Sequence, residues 1–395
     1  MKKLFLTILM FQFILVWSQD IKKIDSLIIN SIELNAFPGA QVYIKKGDFK
    51  FQKSYGYHTY DSIIKTDDDH LYDLASITKT LASTLAIMKL YDENKFKLDV
   101  LISDFVNKLK RSNKKTTNIH ELLIHQAGWK PYINHQKFLL KKNGKLKSRF
   151  ISNNTADNKH QIAKNLYIKK SYYNKIIKRI RRSKLDEGGN YKYSGLFFCL
   201  VPEMVKTVSN QSFEEFLFDN FYSEIGVDLV FNPNKRFSLE KIVPTEKDSI
   251  FRNQLIHGFV HDETAAIMGG VSGNAGLFGS AKDVGKISEF LLKKGLNNNT
   301  QIIKESTVTY FTNPGDYNRG LGFDKPRLIS NDKFYPNKKL SKSSFGHTGF
   351  TGTFYWVDPE KELIIVLLTN RVNPSRSYEN LYDLDVRKKL IDLII

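Results

Sequence analysis

Leu71 to Thr80 reads LYDLASITKT. An apolar stretch gives way here to a helical pattern, Ile77, Leu81, Leu85, Met88 and Leu90, and at the junction Ser76 precedes Lys79 by three residues. A hydroxyl at a helix start meets the positive end of the helix dipole, and a lysine one turn later lies on the same face. A lysine desolvated there can lose its proton near neutral pH and activate the serine as a nucleophile. The spacing alone carries little, because Ser62/Lys65, Ser112/Lys115, Ser238/Lys241 and Ser330/Lys333 repeat it. By itself, the stretch fits an N-cap serine beside a solvated lysine as well.

Toward the N-terminus, Ile21, Ile24, Leu27, Ile28, Ile32 and Leu34 recur at near-helical spacing over residues 20–36, and Pro38-Gly39 ends that helix. AQVYIKKGDFKFQKSYGY then holds two runs of β-formers around Lys46-Gly47-Asp48, a β-hairpin. From Ser76 a long helix is expected, and segments up to about Asn253 read as helical or irregular. Strand character returns in TGTFYWV and LIIVLLTN, which flank Asp358-Pro359-Glu360-Lys361, and LYDLDVRKKLIDLI closes the chain as an amphipathic helix. The expected class is α+β, with one sheet built from both ends of the chain and a largely helical lobe between them.

The opening residues, MKKLFLTILMFQFILVWSQD, pair Lys2 and Lys3 with an apolar run from Leu4 to Trp17 that ends at Ser18. This pattern predicts a signal peptide over 1–18 and an exported, soluble mature protein, periplasmic or secreted. The run is shorter than the ~20 residues a spanning helix needs. The only cysteine, Cys199, lies far from the expected cut, which argues against lipidation, and a single cysteine leaves stability outside the cytosol to a buried core.

The net charge of +19 is concentrated between Lys141 and Lys184, which hold fifteen Lys/Arg against the single acid Asp157. In that segment Ile162, Leu166, Tyr173, Ile176, Ile177 and Ile180 recur at helical spacing and should pack inward. Lys164, Lys170, Lys175, Lys178, Arg181 and Arg182 should stay largely exposed. A solvated basic face is the plain account. Attraction to an anionic cell-wall or membrane surface is the specific one, and export argues against nucleic acid.

Two further stretches hold candidate chemistry. In YKYSGLFF, Tyr193 stands ahead of an apolar helical run; a tyrosine near a lysine can shuttle protons, although a packed aromatic explains it too. In FGHTGFTGTFYW, His347, Thr348, Gly349 and Gly352 lead into a strand, where glycine lets backbone amides face an oxyanion or simply opens a hairpin. Neighbouring motifs fail on geometry. His120 and His125 in HELLIH are five apart, one more than the zinc-protease spacing, and GVSGN lacks the second glycine of a Gly-x-Ser-x-Gly elbow.

Ser-x-x-Lys, Tyr-Ser-x and His-Thr-Gly, in that order and in these contexts, resemble the serine β-lactamase and penicillin-binding protein superfamily, in particular its class C-like branch. FPGAQVYIKKGDF, LIHQAGWKPYI, HDETAAIMGGVSGNAGLFGSAKDV and LLTNRVNP extend the resemblance over roughly Phe37 to Pro374. It implies a β-lactamase/transpeptidase-like fold in one catalytic domain over 19–395. An α/β lobe would cover about 19–75 and 258–395, and a helical lobe about 76–257, with the basic insertion at 141–184. It further implies Ser76 as the acylated nucleophile, Lys79 and Tyr193 sharing acid/base work, and an oxyanion hole from the backbone N–H groups of Ser76 and Phe350. His347, Thr348 and Gly349 would line the substrate cleft, with no cofactor or metal.

This sequence departs from the family pattern twice. His347 stands where many β-lactamases carry Lys, and Gly195 stands where Asn or Asp is usual. The expected function is an exported D-Ala-D-Ala carboxypeptidase, or a related amidase/esterase, acting on cell-wall peptides through an acyl-enzyme. A β-lactamase or small-ester carboxylesterase is the rival enzyme, and a non-catalytic penicillin-binding-like binder is the rival of another class.

Overall fold

The computed structural model describes residues 20–315, 319–330 and 333–395, so the expected signal peptide at 1–18 lies outside the described residues. The central element is a five-stranded antiparallel sheet of β1 (Gly39–Lys46), β2 (Phe49–Gly56), β3 (Phe345–Thr348), β4 (Phe354–Asp358) and β5 (Leu363–Thr369). Its order is β3-β4-β5-β1-β2, so the C-terminal β5 lies in the middle and pairs with β1 in the register Ile44↔Ile365. The sheet therefore does join the two ends of the chain.

With both faces of the sheet covered, period-two alternation buries successive residues on opposite sides, which explains why β5 is apolar from Leu363 to Leu368. Leu363, Ile365 and Leu367 face one core together with Val42, Ile44, Phe354 and Trp356; the terminal helices cover it through Ile24, Ile28, Leu390 and Ile391. Ile364, Val366 and Leu368 face the larger core with Tyr43 and Tyr355. On that side the helix Ala281–Leu292 lies so close that a Cβ at Gly285 would stand 2.6 Å from Tyr43 Cε1. Truncating a fully buried β5 residue such as Ile365 to alanine should cost about 2–5 kcal/mol.

The expected hairpin and the strand pair around Pro359 form as read. Three readings need correction. Instead of starting a long α-helix, Ser76 sits in a 3₁₀ turn (Ala75–Ile77), followed by a π-helical stretch (Lys79–Thr84) and only then an α-helix (Leu85–Asp92). The cause is local: Thr84 Oγ1 donates to Lys79 O and Tyr222 Oη to Leu81 O, both at 2.8 Å, and these side chains take carbonyls from the i→i−4 ladder. In the basic segment, Ile162 and Leu166 are buried on strands Lys159–Ala163 and Leu166–Lys169, joined through Asn165 at φ 53°; the helix is confined to Tyr173–Arg182. The closing amphipathic stretch is two helices, Asn380–Asp383 and Val386–Ile394, broken at Asp385, whose φ is 51°.

No helix among the described residues is long and apolar enough to cross a membrane.

Candidate active site

Ser76 sits at the edge of the larger core on a turn that other parts of the chain hold rigidly. The short strand Tyr72–Asp73 pairs with Leu277–Gly279, and the buried carboxylate of Asp73 accepts Ala75 N–H at 2.8 Å and His261 N–H at 2.6 Å. Burial raises the Asp73 carboxyl above its ordinary value, and those amides work against the rise. Ala75 adopts φ 47°, in the left-handed region that a residue with a Cβ enters only at a cost of about 1–2 kcal/mol. The Asp73 bonds offset that cost and fix the direction in which Ser76 leaves the strand.

Lys79 is 2 % exposed, and its Nζ donates to Ser76 Oγ and to the carbonyl of Asn274, both at 2.8 Å. The same ammonium stands 5.4 Å from the ring centroid of Tyr193 and 5.8 Å from that of Phe198. Tyr193 is carried by a strip of chain bonded to residues 125–131: Lys192 N donates to His125 O (2.8 Å), Ser194 Oγ to Lys130 O (2.7 Å) and Gly195 N to Pro131 O (3.1 Å). His125 packs on Tyr193 with ring centroids 4.7 Å apart. Its Nδ1 accepts Ser194 N–H at 3.2 Å, which leaves the proton of the neutral ring on Nε2, a buried atom with no partner in the protein. Burial holds this imidazole well below its ordinary pKa. His125 lies in LIHQAGWKPYI, but nothing local in the sequence announces its contact with Tyr193.

The third wall is the end of β3. His347 is 2 % exposed; its Nδ1 lies 2.7 Å from the carbonyl of Thr348, so Nδ1 donates and the buried, unpartnered Nε2 is a lone pair. Burial lowers its pKa to about 4, with Asp324 opposing, and the ring is neutral at pH 7. The rings of Tyr193 and His347 are 6.2 Å apart. After β3, Thr351 Oγ1 donates to Asp73 O at 2.8 Å and Thr353 Oγ1 to Leu74 O at 3.2 Å, which holds the Gly349–Thr353 turn against the residues just before Ser76. A Cβ at Gly349 would lie 2.7 Å from Leu74 O and 3.2 Å from Ala75 Cβ, so this close approach requires glycine. Phe350 follows at the mouth, 50 % exposed and stacked on His261 with centroids 5.7 Å apart.

Sequence reading also missed the charged group behind Tyr193. Arg319 is 3 % exposed, pairs with Asp324 and lies 5.9 Å over the Tyr193 ring. Burial works to raise the Asp324 carboxyl, but the positive groups around it, Arg319 foremost and Arg327 with it, and the Tyr335 hydrogen bond together outweigh burial and hold the pKa at about 2. Arg327 is more open: its guanidinium lies over Tyr191 at 5.6 Å and Tyr335 at 4.7 Å, and 3.9 Å from Asp324. Two arginines around one carboxylate leave a positive surplus on this side. Gly195 faces Lys79 across open space, since an added Cβ would meet Lys79 Cε at 3.9 Å and Asn274 Cβ at 4.0 Å. At this position it is the Asn274 carbonyl, from another part of the chain, that bonds the lysine.

The Beta-lactamase family model matches residues 24–388. A protein of Salmonella typhimurium named "Putative D-alanyl-D-alanine carboxypeptidase" is 29 % identical over 387 residues, covering 90 % of this chain and 83 % of that one. An Escherichia coli O157:H7 protein of the same name is 30 % identical over 368 residues, covering 85 % and 79 %. Among solved structures, a class C beta lactamase superposes with a TM-score of 0.67 at 17 % identity, over 95 % of this chain and 98 % of that one. The octameric penicillin-binding protein homologue from Pyrococcus abyssi gives 0.65 at 18 % identity, over 92 % and 76 %. These likenesses agree with the α+β, β-lactamase/transpeptidase-like fold expected from the sequence.

Proposed function

This chain belongs to the Beta-lactamase family and is a serine hydrolase, and on that premise we propose that it is a D-Ala-D-Ala carboxypeptidase, or a related amidase/esterase, that acts on cell-wall peptides through an acyl-enzyme on Ser76. The observation that carries this reading is the 2.8 Å contact between Lys79 Nζ and Ser76 Oγ. With the amine unprotonated, that contact runs the other way. Ser76 O–H donates to Nζ, and the proton passes to Lys79 as Oγ attacks the scissile carbonyl. The oxyanion is received by the backbone N–H groups of Ser76 and Phe350. Collapse expels the amine, which takes its proton from the Lys79–Tyr193 pair. Water then gives a proton to that pair as it attacks the ester carbonyl, and Ser76 Oγ takes this proton from the pair as the ester bond breaks. Lys79 is the first base, because it and not Tyr193 bonds Ser76; Tyr193, under the influence of Lys79 and Arg319, moves the proton onward.

Substrate choice follows from charge. A neutral His347 offers no cation where a β-lactam carboxylate would need one, which disfavours antibiotic hydrolysis. Arg327, partly open and beside Tyr191, supports recognition of a terminal carboxylate and so a carboxypeptidase over a hydrolase of neutral esters. The family name carried by the relatives supports the same peptide class. We further propose export through the 1–18 signal and the division into an α/β lobe and an inserted helical lobe expected from the sequence.

The test is release of D-Ala from a D-Ala-D-Ala-terminated peptide, together with covalent labelling by fluorescent penicillin and a fluorophosphonate, with Ser76→Ala as control. Labelling and D-Ala release that both vanish in Ser76→Ala support the proposal. Fluorophosphonate labelling without D-Ala release makes the protein an esterase, and silence in all three assays makes it a binder.

A further inference from the structure

The basic insertion folds back toward the active site and leaves a groove of about 610 Å³ between the helix Tyr173–Arg182 and residues 130–138. That volume lies within the range of sites that enclose drug-sized ligands. Six of the side chains lining the groove are cations, Lys130, Lys175, Lys178, Arg179, Arg182 and Lys184, and none of its lining residues is acidic. Lys175, Lys178, Arg179 and Arg182 recur at i, i+3, i+4 and i+7 and so form one stripe along the helix, while Ile176, Ile177 and Ile180 pack into the core. Cations in the last turn complement the helix dipole, which accounts for Arg179 and Arg182. It does not account for Lys175 a turn and more earlier, for Lys130 on the facing wall, or for Lys184 beyond the helix.

Among the described residues, none of the six has a carboxylate within ion-pair distance. Arg179 donates from Nη2 to Tyr172 Oη at 3.1 Å and stacks 4.0 Å over Phe138, but its Nη1 is buried with no partner. Like charges gathered around a concave surface repel one another, and an anion seated in the groove relieves that repulsion.

One wall of the groove is bonded to the chain that carries Tyr193. Lys130, in its wall, is the residue whose carbonyl accepts Ser194 Oγ, and the next residue, Pro131, accepts Gly195 N–H, one and two positions after Tyr193. Both walls are tied together below, where Trp129 bridges Leu185 and Lys114 Nζ donates to Ser183 O at 2.7 Å. A chain that ends at Ser76 and runs past Tyr193 meets this groove with its remote part. A flat lipid surface would touch only the rim of such a concavity.

We propose that this groove binds a carboxylate-bearing peptide: the part of the substrate remote from the scissile bond, held by the basic stripe of helix Tyr173–Arg182 against Lys130. The naming of a peptide rests on the function proposed above. The test compares acetyl-Glu-Glu-Gly-D-Ala-D-Ala with its Gln-Gln counterpart, as labelled peptides bound to Ser76→Ala protein and as substrates of the wild type. At low salt the acidic peptide should bind about tenfold more tightly, and the advantage should shrink as salt approaches physiological strength. Lys178→Glu with Arg182→Glu should erase the preference. Lys170→Glu with Arg181→Glu, an equal charge change on residues that do not line the groove, should keep it. No preference in the parent protein, equal loss in both double variants, or tighter binding of inorganic polyphosphate than of the acidic peptide would overturn the assignment. If the acidic peptide binds through the groove but D-Ala is never released, the groove stands and the carboxypeptidase reading falls. If D-Ala is released equally from both peptides, the reading stands and the groove falls.

Discussion

The main-chain carbonyl of Asn274 accepts a hydrogen bond from Lys79 Nζ at 2.8 Å. A backbone acceptor survives any change of side chain, so the Asn274 amide matters only through its own bonds, to Ser272 Oγ at 2.6 Å, Cys199 Sγ at 3.3 Å and Asp262 Oδ1 at 3.3 Å. Asn274→Ala should therefore keep the acylation rate within about tenfold of wild type, whereas Lys79→Ala should abolish measurable acylation. Stopped-flow acylation by an active-site ester checks both. A loss in Asn274→Ala as deep as that in Lys79→Ala would mean that the amide, and not the carbonyl, positions the lysine.

At Gly195 the prediction runs against the usual cost of filling a glycine in an active site. The backbone there is not left-handed, and an added methyl meets only ordinary contacts at 3.9 and 4.0 Å. Gly195→Ala should leave stability unchanged or raise it by about 0.4–1 kcal/mol through the unfolded chain. Urea denaturation reads this directly, and a destabilised variant would refute the open space beside Lys79.

Ala75 and Asp73 form a strained residue and its restraint. Ala75→Gly removes the left-handed strain but adds chain entropy, so stability should stay within about 1 kcal/mol of wild type. Asp73→Ala leaves two amide donors without an acceptor and should cost about 2–4 kcal/mol together with most of the acylation rate. Thermal melts and acylation rates separate the two effects. If Asp73→Ala acylates normally, the direction of Ser76 is set by something else.

Acid should destabilise the protein before its carboxylates titrate. Burial lowers His58, His135 and His347 from 6.5 to about 4. Above pH 6.5 each ring is neutral whether the chain is folded or not, and no linkage arises. As pH falls from 6.5 toward 4 the unfolded chain binds protons that the folded one refuses, so stability declines through that window and levels off below it, as far as these groups are concerned. His135 is fully buried with neither ring nitrogen bonded, and Arg179 and Asp262 are the charges that act on it. His135→Leu should melt near the wild-type temperature at pH 7.5 and show a shallower decline to pH 4.5; a parallel decline would falsify the assignment.

Much of this was legible from the order of motifs. The Ser76–Lys79 pair, Tyr193 and His347 lie far apart in the chain but come from the three quoted stretches, and the strands at both ends follow from runs of β-forming residues bounded by turns. What escaped was every group whose role depends on a distant partner. Asp73 sits inside the first quoted stretch, yet its importance comes from the His261 amide 188 residues away. His125 and Asn274 reach the site through backbone pairings that no local pattern encodes. In the basic segment the apolar residues fit a period of 3.6, yet Ile162 and Leu166 lie on two successive antiparallel strands that face each other across the turn at Asn165. Across a tight turn, residues of two strands recur at a spacing that mimics a helical one.

The middle place of β5 bears on how the protein comes into being. Its neighbours are β4, made just before it, and β1, made at the start of the chain. Until Leu363–Thr369 has been synthesised, Gly39–Lys46 has no partner on one edge, and the turn that carries Phe350 hangs on an incomplete sheet. Contacts of such long sequence separation form slowly, because loop closure precedes any gain from pairing. A nascent or C-terminally clipped chain therefore carries Ser76 and Lys79 without the wall that faces them, so the proposed active site is assembled only once β5 has paired. Hydrolysis by this protein is a sign that the last strand has arrived.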